Sequence, residues 1–363
     1  MTQDRFSGVK TSANARSGRQ ILINVRGWAS AMGFRGFRFI DLFAGIGGMR
    51  LGLERAGGRC VYSSEINKHA VETYKANFVG EVAGDITEVD ARDIPDHDVL
   101  AAGFPCQPFS LAGISKRKSL NLPSGTNSPQ GRMFDEIVRI LRRKKPSALL
   151  LENVKHLKSY DKGRVFREME RKLEDLGYNV HNDVIDARSV VPQHRERVFI
   201  VGFDRDVGFE FPEIRNTEMR LGDILERNTD SKYRLTPGTW RALKRHRREN
   251  ERRGTGFGYH IASTGSVSRT LSRRYYKDGA EILIQRGGAD IPRRLTPREC
   301  ARLMGFPEKF KIPVSDSQAY RQFGNSVVPP IVAAIGREMA RHIGARHVLA
   351  ARRREGITRR QSG

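Results

Sequence analysis

Cysteine is scarce. The chain of 363 residues holds three, Cys60, Cys106 and Cys300, too few and too scattered for a disulfide framework or a zinc site. Each thiol needs its own explanation, the compartment reads as reducing, and no metal is expected. No apolar run is long enough to span a bilayer. The opening MTQDRFSGVK lacks the apolar core of a secretion signal. A cytoplasmic location follows as the expectation, with no membrane partner. No internal repeat is present. Acidic residues are the minority, with 41 Asp+Glu against 65 Lys+Arg and a net charge of +24.

The excess positive charge is concentrated in RILRRKK (139–145), KYRLTPGTWRALKRHRRENERR (232–253) and ARRREGITRR (351–360). A single such run is usually a solvated face. Three in one chain favour a polyanionic partner, nucleic acid first. Hydrophobic residues at 38% and charged residues at 29% describe a globular chain, long enough for one large domain or two moderate ones.

From residue 37 onward, apolar runs alternate with helical patterns. FRFIDLF, GRCVYSSE, HDVLAAGF, SALLLENV and RERVFIVGF read as strands. MRLGLERAG, NKHAVETYKANF, MFDEIVRILRRKK and VFREMERKLEDLG between them read as helices. That alternation predicts an α/β fold with a parallel sheet and crossover helices. Residues 205–293 break the rhythm and read as irregular, basic and rich in Gly, Ser and Tyr. A helix resumes at RLTPRECARLMGF, with Thr296 as N-cap and Pro297 at its first position, and a last one spans VPPIVAAIGREMARHI. The expected divisions are an extension over 1–37, a cofactor-binding and catalytic domain over 38–204 completed by 318–345, a small domain over 205–317, and a basic tail over 346–363.

DLFAGIGG (41–48) is a glycine turn between the first strand and its helix, where a ligand can approach the backbone at a helix N-terminus. Glu65 ends the second strand, where an acid holds ribose hydroxyls, and Asp85 ends the next segment, placed for an adenine amino group. This order describes a nucleoside-bearing cofactor. A dinucleotide is the rival, but the third glycine of its fingerprint falls on Arg50. In GFPCQPFS (103–110), Pro105 and Pro108 exclude regular structure around Cys106, so the chain presents a thiol on a shaped turn. A thiolate is a strong nucleophile and needs an acid to protonate what it attacks. Glu152, after the apolar ALLL, emerges on the same sheet edge, and burial there raises a carboxyl toward neutral pKa. In QHRER (193–197), alternation puts Gln193, Arg195 and Arg197 on one face, where two arginines can hold a carbonyl or a phosphate. The plainer readings are a structural turn, a capping carboxylate and a salt-bridged edge strand.

DLFAGIGG, GFPCQPFS, LENV, QHRERVF, RLTPRECARLMGFP and FGNSVVPP occur in this order. Together they resemble the ordered motif set of the DNA (cytosine-5) methyltransferases over roughly residues 38–345. GFGY and SRTLSRRYYKDGAEILI are similar to the Dcm/EcoRII-type bacterial enzymes. The resemblance implies a class I S-adenosylmethionine-dependent fold, with a Rossmann-like sheet and a smaller, irregular target-recognition domain. It implies Cys106 as nucleophile on C6 of a flipped-out cytosine, with Glu152, Arg195 and Arg197 as its catalytic partners. It implies cofactor contacts from Phe43, Ala44, Gly45, Gly47, Gly48, Glu65, Ile66, Asp85, Ile86, Pro105, Asn325 and Ser326. DNA contacts are expected from Gln107, Ser110, Gln193, Arg269, Arg273, Arg274 and Tyr275, and a loop over 107–131 is expected to close over the base. The target implied is a short palindrome with a CC…GG frame. Duplex DNA is the expected partner of a monomer, with a cognate restriction endonuclease as a second. Within the loop, SPQGRMFDEI departs from the RGxLFxEI-like segment of many relatives. Alternative readings are an RNA cytosine methyltransferase, a nicotinamide oxidoreductase, and a DNA-binding regulator on the same fold.

Overall fold

The computed structural model describes residues 36–105, 132–255, 258–285 and 291–343. Cys106, Gln107 and Ser110, residues 1–35 and the Arg-rich tail lie outside the described residues. A six-stranded sheet runs in the order β2-β1-β3-β4-β6-β5. Its strands are β1 (Arg38–Leu42), β2 (Arg59–Ser64), β3 (Val99–Gly103), β4 (Ala148–Val154), β5 (Asn179–Asp186) and β6 (Glu196–Phe203). β1 pairs in parallel with β2 on one side and β3 on the other, so the chain reverses its winding direction across β1. The carboxyl edge beside such a switch point is where open α/β sheets bind ligands.

Four of the five expected strand positions lie in the parallel part. β6 departs from the expectation and runs antiparallel to both β4 and β5. Only the short connection over 187–195 links β5 to β6, with no room for a crossover helix, and antiparallel pairing results. β5 itself was not expected. Its sequence NVHNDVID interleaves polar residues, and it lies at the sheet's edge, partly exposed along its length.

β3 and β4 are covered on both faces, so VLAA and ALLL are apolar without alternation. One face packs against α3 (Met133–Lys144) and α4 (Arg164–Glu174) through Ile137, Leu141, Phe166 and Leu173. The charged side of α3 accounts for RILRRKK in part: Arg139 pairs with Glu136 at 2.8 Å, and Lys144 reaches the Arg92 carbonyl at 3.1 Å. α1 (Gly48–Arg55) packs against the last helix, over 329–343, so closely that a Cβ on Gly52 would lie 2.9 Å from the Pro329 carbonyl. Asn67 caps α2 (Lys68–Asn77), accepting from the amides of His69 and Ala70 at 3.1 Å each.

Residues 205–293 hold more order than their sequence suggests. α5 (Pro237–Arg252) is a 16-residue helix, capped by Thr236 with Pro237 in its first turn. The sequence hid it because only Trp240 and Leu243 mark an apolar side among its charges. β7 (Leu283–Ile284) pairs antiparallel with β8 (Arg293–Arg294). α6 (Pro297–Leu303) begins as expected: Thr296 and Glu299 form a reciprocal capping box, and Pro297 opens the helix. α7 (Asp316–Asn325) follows and leads to the last helix.

Candidate active site

The carboxyl ends of β3 and β4 and the start of β6 meet at one edge. Gly103 sits opposite Glu152, and Val154 sits opposite Arg197. Because β6 is antiparallel to β4, its first residues share the edge where β4 ends. Arg197 and Glu152 lie on one face, two residues apart in register, and Arg197 Nε stands 3.1 Å from Glu152 Oε1. Both side chains are almost buried, at 17% and 12% exposure. Burial pushes the Glu152 carboxyl above its ordinary value, while Arg197 and then Arg195 pull it down. The result is a carboxyl that holds a proton more readily than a surface glutamate, beside a fixed positive charge.

β3 points the chain toward Cys106. Phe104 and Pro105 are the last described residues before it, and Asn153 Nδ2 donates to the Phe104 carbonyl at 3.1 Å. Asn153 is buried on the opposite side of β4 from Glu152, and it anchors the exit of β3. Sequence reading passed it over. The available signal was a lone amide in a strand otherwise apolar up to Glu152.

The glycine turn is shaped by left-handed backbone at Phe43 (φ 56°), Gly45 (φ 55°) and Gly47 (φ 84°). A Cβ added at Gly45 would meet nothing within 4 Å, so this side of the turn is open to a ligand. A Cβ at Gly48 would lie 2.6 Å from Ser326 Oγ, so the turn is closed from behind by the distant GNS segment. Glu65 is oriented by two amides: Gly45 N donates to Oε2 at 2.8 Å and Asn67 N donates to Oε1 at 2.7 Å. Ile66 next to it is 72% exposed, an uncommon position for a large apolar side chain. Asp85 caps the short turn Ile86–Glu88 through Thr87, with Ile86 buried beneath it and Asp85 only partly covered. An open glycine edge, an oriented carboxylate and an exposed apolar platform suit a nucleoside with vicinal hydroxyls and a flat base. Asn325 is exposed at the end of α7, and Ser326 follows it.

Asp41, the first residue of DLFAGIGG, is fully buried and neither carboxyl oxygen has a hydrogen-bond partner among the described residues. Burial raises its pKa to about 8 against the pull of Arg50. Arg50, which excluded a dinucleotide fingerprint, lies over the Phe78 ring at 4.6 Å and donates to Tyr74 Oη at 3.2 Å.

Arg195 turns inward, away from the position expected of a substrate ligand. It is 2% exposed and donates to the carbonyls of Leu271 at 3.0 Å, Gly324 at 3.2 Å and Ser326 at 2.7 Å. It thereby joins β6, the segment around 271 and the segment behind the glycine turn. Gln193 is likewise fully buried. Its amide donates to the Leu303 carbonyl at 3.1 Å, and its oxygen accepts from Leu271 N at 2.8 Å. Tyr275, expected at the DNA, is also at 0% exposure, with its hydroxyl shared between the Ile282 carbonyl and Leu295 N. Both are corrections: these side chains are spent inside the protein and present nothing to a duplex. Arg269, Arg273 and Arg274 are exposed on the same segment. A parallel bridge between Gln193 and Ser268 fixes that segment to the catalytic edge.

A family model of C-5 cytosine-specific DNA methylases matches residues 37–341. The chain is 51% identical over 315 residues to the type II methyltransferase M.NlaX of Neisseria lactamica, covering 85% of this chain and 98% of that one. It is 47% identical to the DNA-cytosine methyltransferase of Escherichia coli K12, covering 83% of this chain and 77% of the relative. Among solved structures, the Entamoeba histolytica methyltransferase EhMeth superposes with a TM-score of 0.68 at 20% identity, over 84% of this chain and 98% of that one, which shows a shared fold. With the family match running from the first strand into the last helix, the chain belongs to the C-5 cytosine-specific DNA methylases and is a DNA (cytosine-5) methyltransferase.

Proposed function

We propose that this enzyme methylates an inner cytosine of a short C/G-rich duplex palindrome, using Cys106 as nucleophile and S-adenosylmethionine as donor. The observation that carries the assignment is the Glu152–Arg197 pair at 3.1 Å, on the edge where β3 delivers the chain to Cys106. Cytosine C6 is out of reach inside a duplex, so the base must be flipped out. Cys106 thiolate adds to C6, and Glu152 protonates or hydrogen-bonds N3 as the ring takes up charge. Arg197 holds O2 where negative charge develops. The donor supplies an electrophilic methyl group to C5. Loss of the C5 proton then expels the thiolate and restores the ring.

The open side of Gly45, the carboxylate of Glu65 and the exposed Ile66 support a nucleoside donor at the turn. Arg195 is assigned a positioning role, because its guanidinium is bound by three carbonyls. The exposed Arg269, Arg273 and Arg274 support a target-reading role for the segment within 205–293, since arginine matches guanine O6 and N7. The domain division at about 205 and 317 follows the same reading. The type II names of relatives support a cognate restriction endonuclease as a second partner, with both acting in the cytoplasm. The relatives' names specify DNA, which favours it over RNA as substrate.

Cys106→Ser tests the mechanism. Methyl transfer to DNA is expected to vanish while donor binding persists, since a hydroxyl is a far weaker nucleophile. Wild type, and not the variant, is expected to form a covalent adduct on DNA carrying 5-fluorocytosine. Substantial turnover by the variant would refute the nucleophile. Bisulfite sequencing of DNA from expressing cells identifies the site, and absence of a CC…GG frame would overturn the sub-family reading alone.

A further inference from the structure

The outward face of α5 has no part in the mechanism above. Arg241, Arg245, Arg248 and Arg252 recur at i, i+4, i+7 and i+11 of this helix. At the α-helical repeat they fall within an arc of about 60°, one above the other along one face. All four are exposed. The opposite face holds the helix down: Leu243 and Asn250 are buried, and Leu243 joins Leu235 and Leu283 in a small apolar cluster. Asn250 Oδ1 accepts from Thr255 Oγ1 at 3.1 Å, and Trp240 packs edge-on against Tyr259. The helix is therefore fixed by its inner side, and its orientation does not depend on the arginines.

The stripe is not neutralised from within. Among the described residues one carboxylate reaches it, Glu249, at 3.9 Å from Arg245. Arg247 and Glu251 pair with each other at 2.8 Å off the stripe. A membrane surface is a poor match, because the apolar side of α5 is already buried and the arginine face offers no large apolar side chain. Off the stripe, His260 lies within the field of both Arg247 and the exposed Arg269, and after burial these two charges hold its pKa down. The stripe runs about 16 Å from Arg241 to Arg252. That span matches four to five phosphates of one strand, at about 3.4 Å of duplex axis each.

We infer that the Arg241–Arg245–Arg248–Arg252 face of α5 is a second DNA-binding surface, a rail that holds the phosphate backbone beside the target site and reads no bases. It rests on the proposed function only in taking the polyanion to be duplex DNA. It divides labour within one region: α5 supplies affinity independent of sequence, and the 269–274 segment supplies choice. Guanidinium forks distinguish guanine from other bases, whereas binding to phosphate needs only charge.

The test is the salt dependence of binding to a duplex of about 20 base pairs lacking the methylated site, measured by fluorescence anisotropy without methyl donor. The variant carries Arg→Gln at all four positions, and its melting curve and circular dichroism are compared with wild type. The log–log salt slope is expected to become shallower by about 3 to 4, at about 0.9 for each phosphate that the variant leaves unneutralised. Affinity near 100 mM salt is expected to fall at least roughly tenfold. The corresponding Arg→Lys variant, which keeps charge and loses the fork, is expected to retain most of the slope. Bisulfite mapping is expected to show the same methylated sequence in all three proteins. An unchanged slope in a folded Gln variant would overturn the inference and leave α5 a solvated face. A changed methylation site, a flattened slope in the Lys variant, or a slope change seen on duplex RNA alone would also overturn it. Binding is read without turnover, so a wild type that fails to methylate defeats the proposed function and leaves this test standing.

Discussion

β3 and β4 bury VLAA and ALLL completely, and the edge they form carries Glu152 at the end of an apolar run. Between 205 and 293 one small apolar cluster joins Leu235, Leu243 and Leu283, and Leu221, Leu271, Ile282 and Ile284 are buried as well. Buried polar side chains add ties within this region and from it to the start of β6. Gln193 and Arg195 bind the Leu271 amide and carbonyl, Tyr275 bridges Ile282 and Leu295, and the buried Arg293–Glu299 pair closes at 2.7 Å. A sheet built on burial tolerates loops of any composition beyond its edge. Where hydrogen bonds to the main chain share the work with a smaller apolar core, a few side chains fix the region in place, and on the reading proposed above its outward residues are free to vary with the sequence to be read.

The largest break in that comparison is Arg195→Leu. Removing the guanidinium leaves the carbonyls of Leu271, Gly324 and Ser326 short of a buried donor. At about 1–3 kcal/mol for each group left unsatisfied, and with partial relaxation, the loss is on the order of 3–5 kcal/mol. A drop of about 10 °C in melting temperature is expected in thermal unfolding. Arg195→Lys is expected to recover part of it. An unchanged melting temperature with turnover abolished would place Arg195 at the substrate instead.

Glu152→Gln acts on the sheet side alone. Turnover is expected to fall by roughly 10²-fold, the scale for losing a positioned acid, with DNA binding retained. Burial raises the Glu152 pKa, so its proton is kept at pH values where a surface glutamate has lost it, and is released as pH rises through that raised value. Wild-type turnover should show a basic limb from this loss, and the Gln variant should lack it. A variant as fast as wild type would reduce Glu152 to a structural carboxylate.

The two regions also differ in how far sequence discloses them. The parallel core strands were legible because continuous apolar runs of strand length, separated by helical patterns, admit few arrangements. The positions of Glu65, Glu152 and Arg197 at the sheet's edge were legible because each ends or begins such a run. β5 was not, since NVHNDVID lies on an edge and mixes polar with apolar residues. α5 was not, since arginine dominates both its outward face and its flanks. Thr296 announced its helix through a local capping pattern. Gln193, Arg195 and Tyr275 could be noticed but not placed, because whether a polar side chain faces inward depends on main-chain partners 7 to 131 residues away.

Tyr275→Phe makes the smallest change and separates the two placements of that tyrosine. The hydroxyl donates to the Ile282 carbonyl at 2.7 Å and accepts from Leu295 N at 2.8 Å, so it joins the chain before β7 to the chain after β8. Phenylalanine keeps the ring and its edge-on packing against Tyr320, whose centroid is 5.2 Å away. What disappears is one donor and one acceptor, in a place closed to water. The carbonyl and the amide left behind are main-chain groups, which are rarely left unpaired when buried. A stability loss of about 1–3 kcal/mol is expected in urea unfolding, with no change in the sequence methylated. Exposed Arg273, two residues earlier, should behave oppositely, losing site choice on Arg273→Gln with little loss of stability. If Tyr275→Phe left stability intact and altered the methylated sequence, the buried hydroxyl would have to be facing DNA, and the division between internal ties and outward readers would fail at its clearest residue.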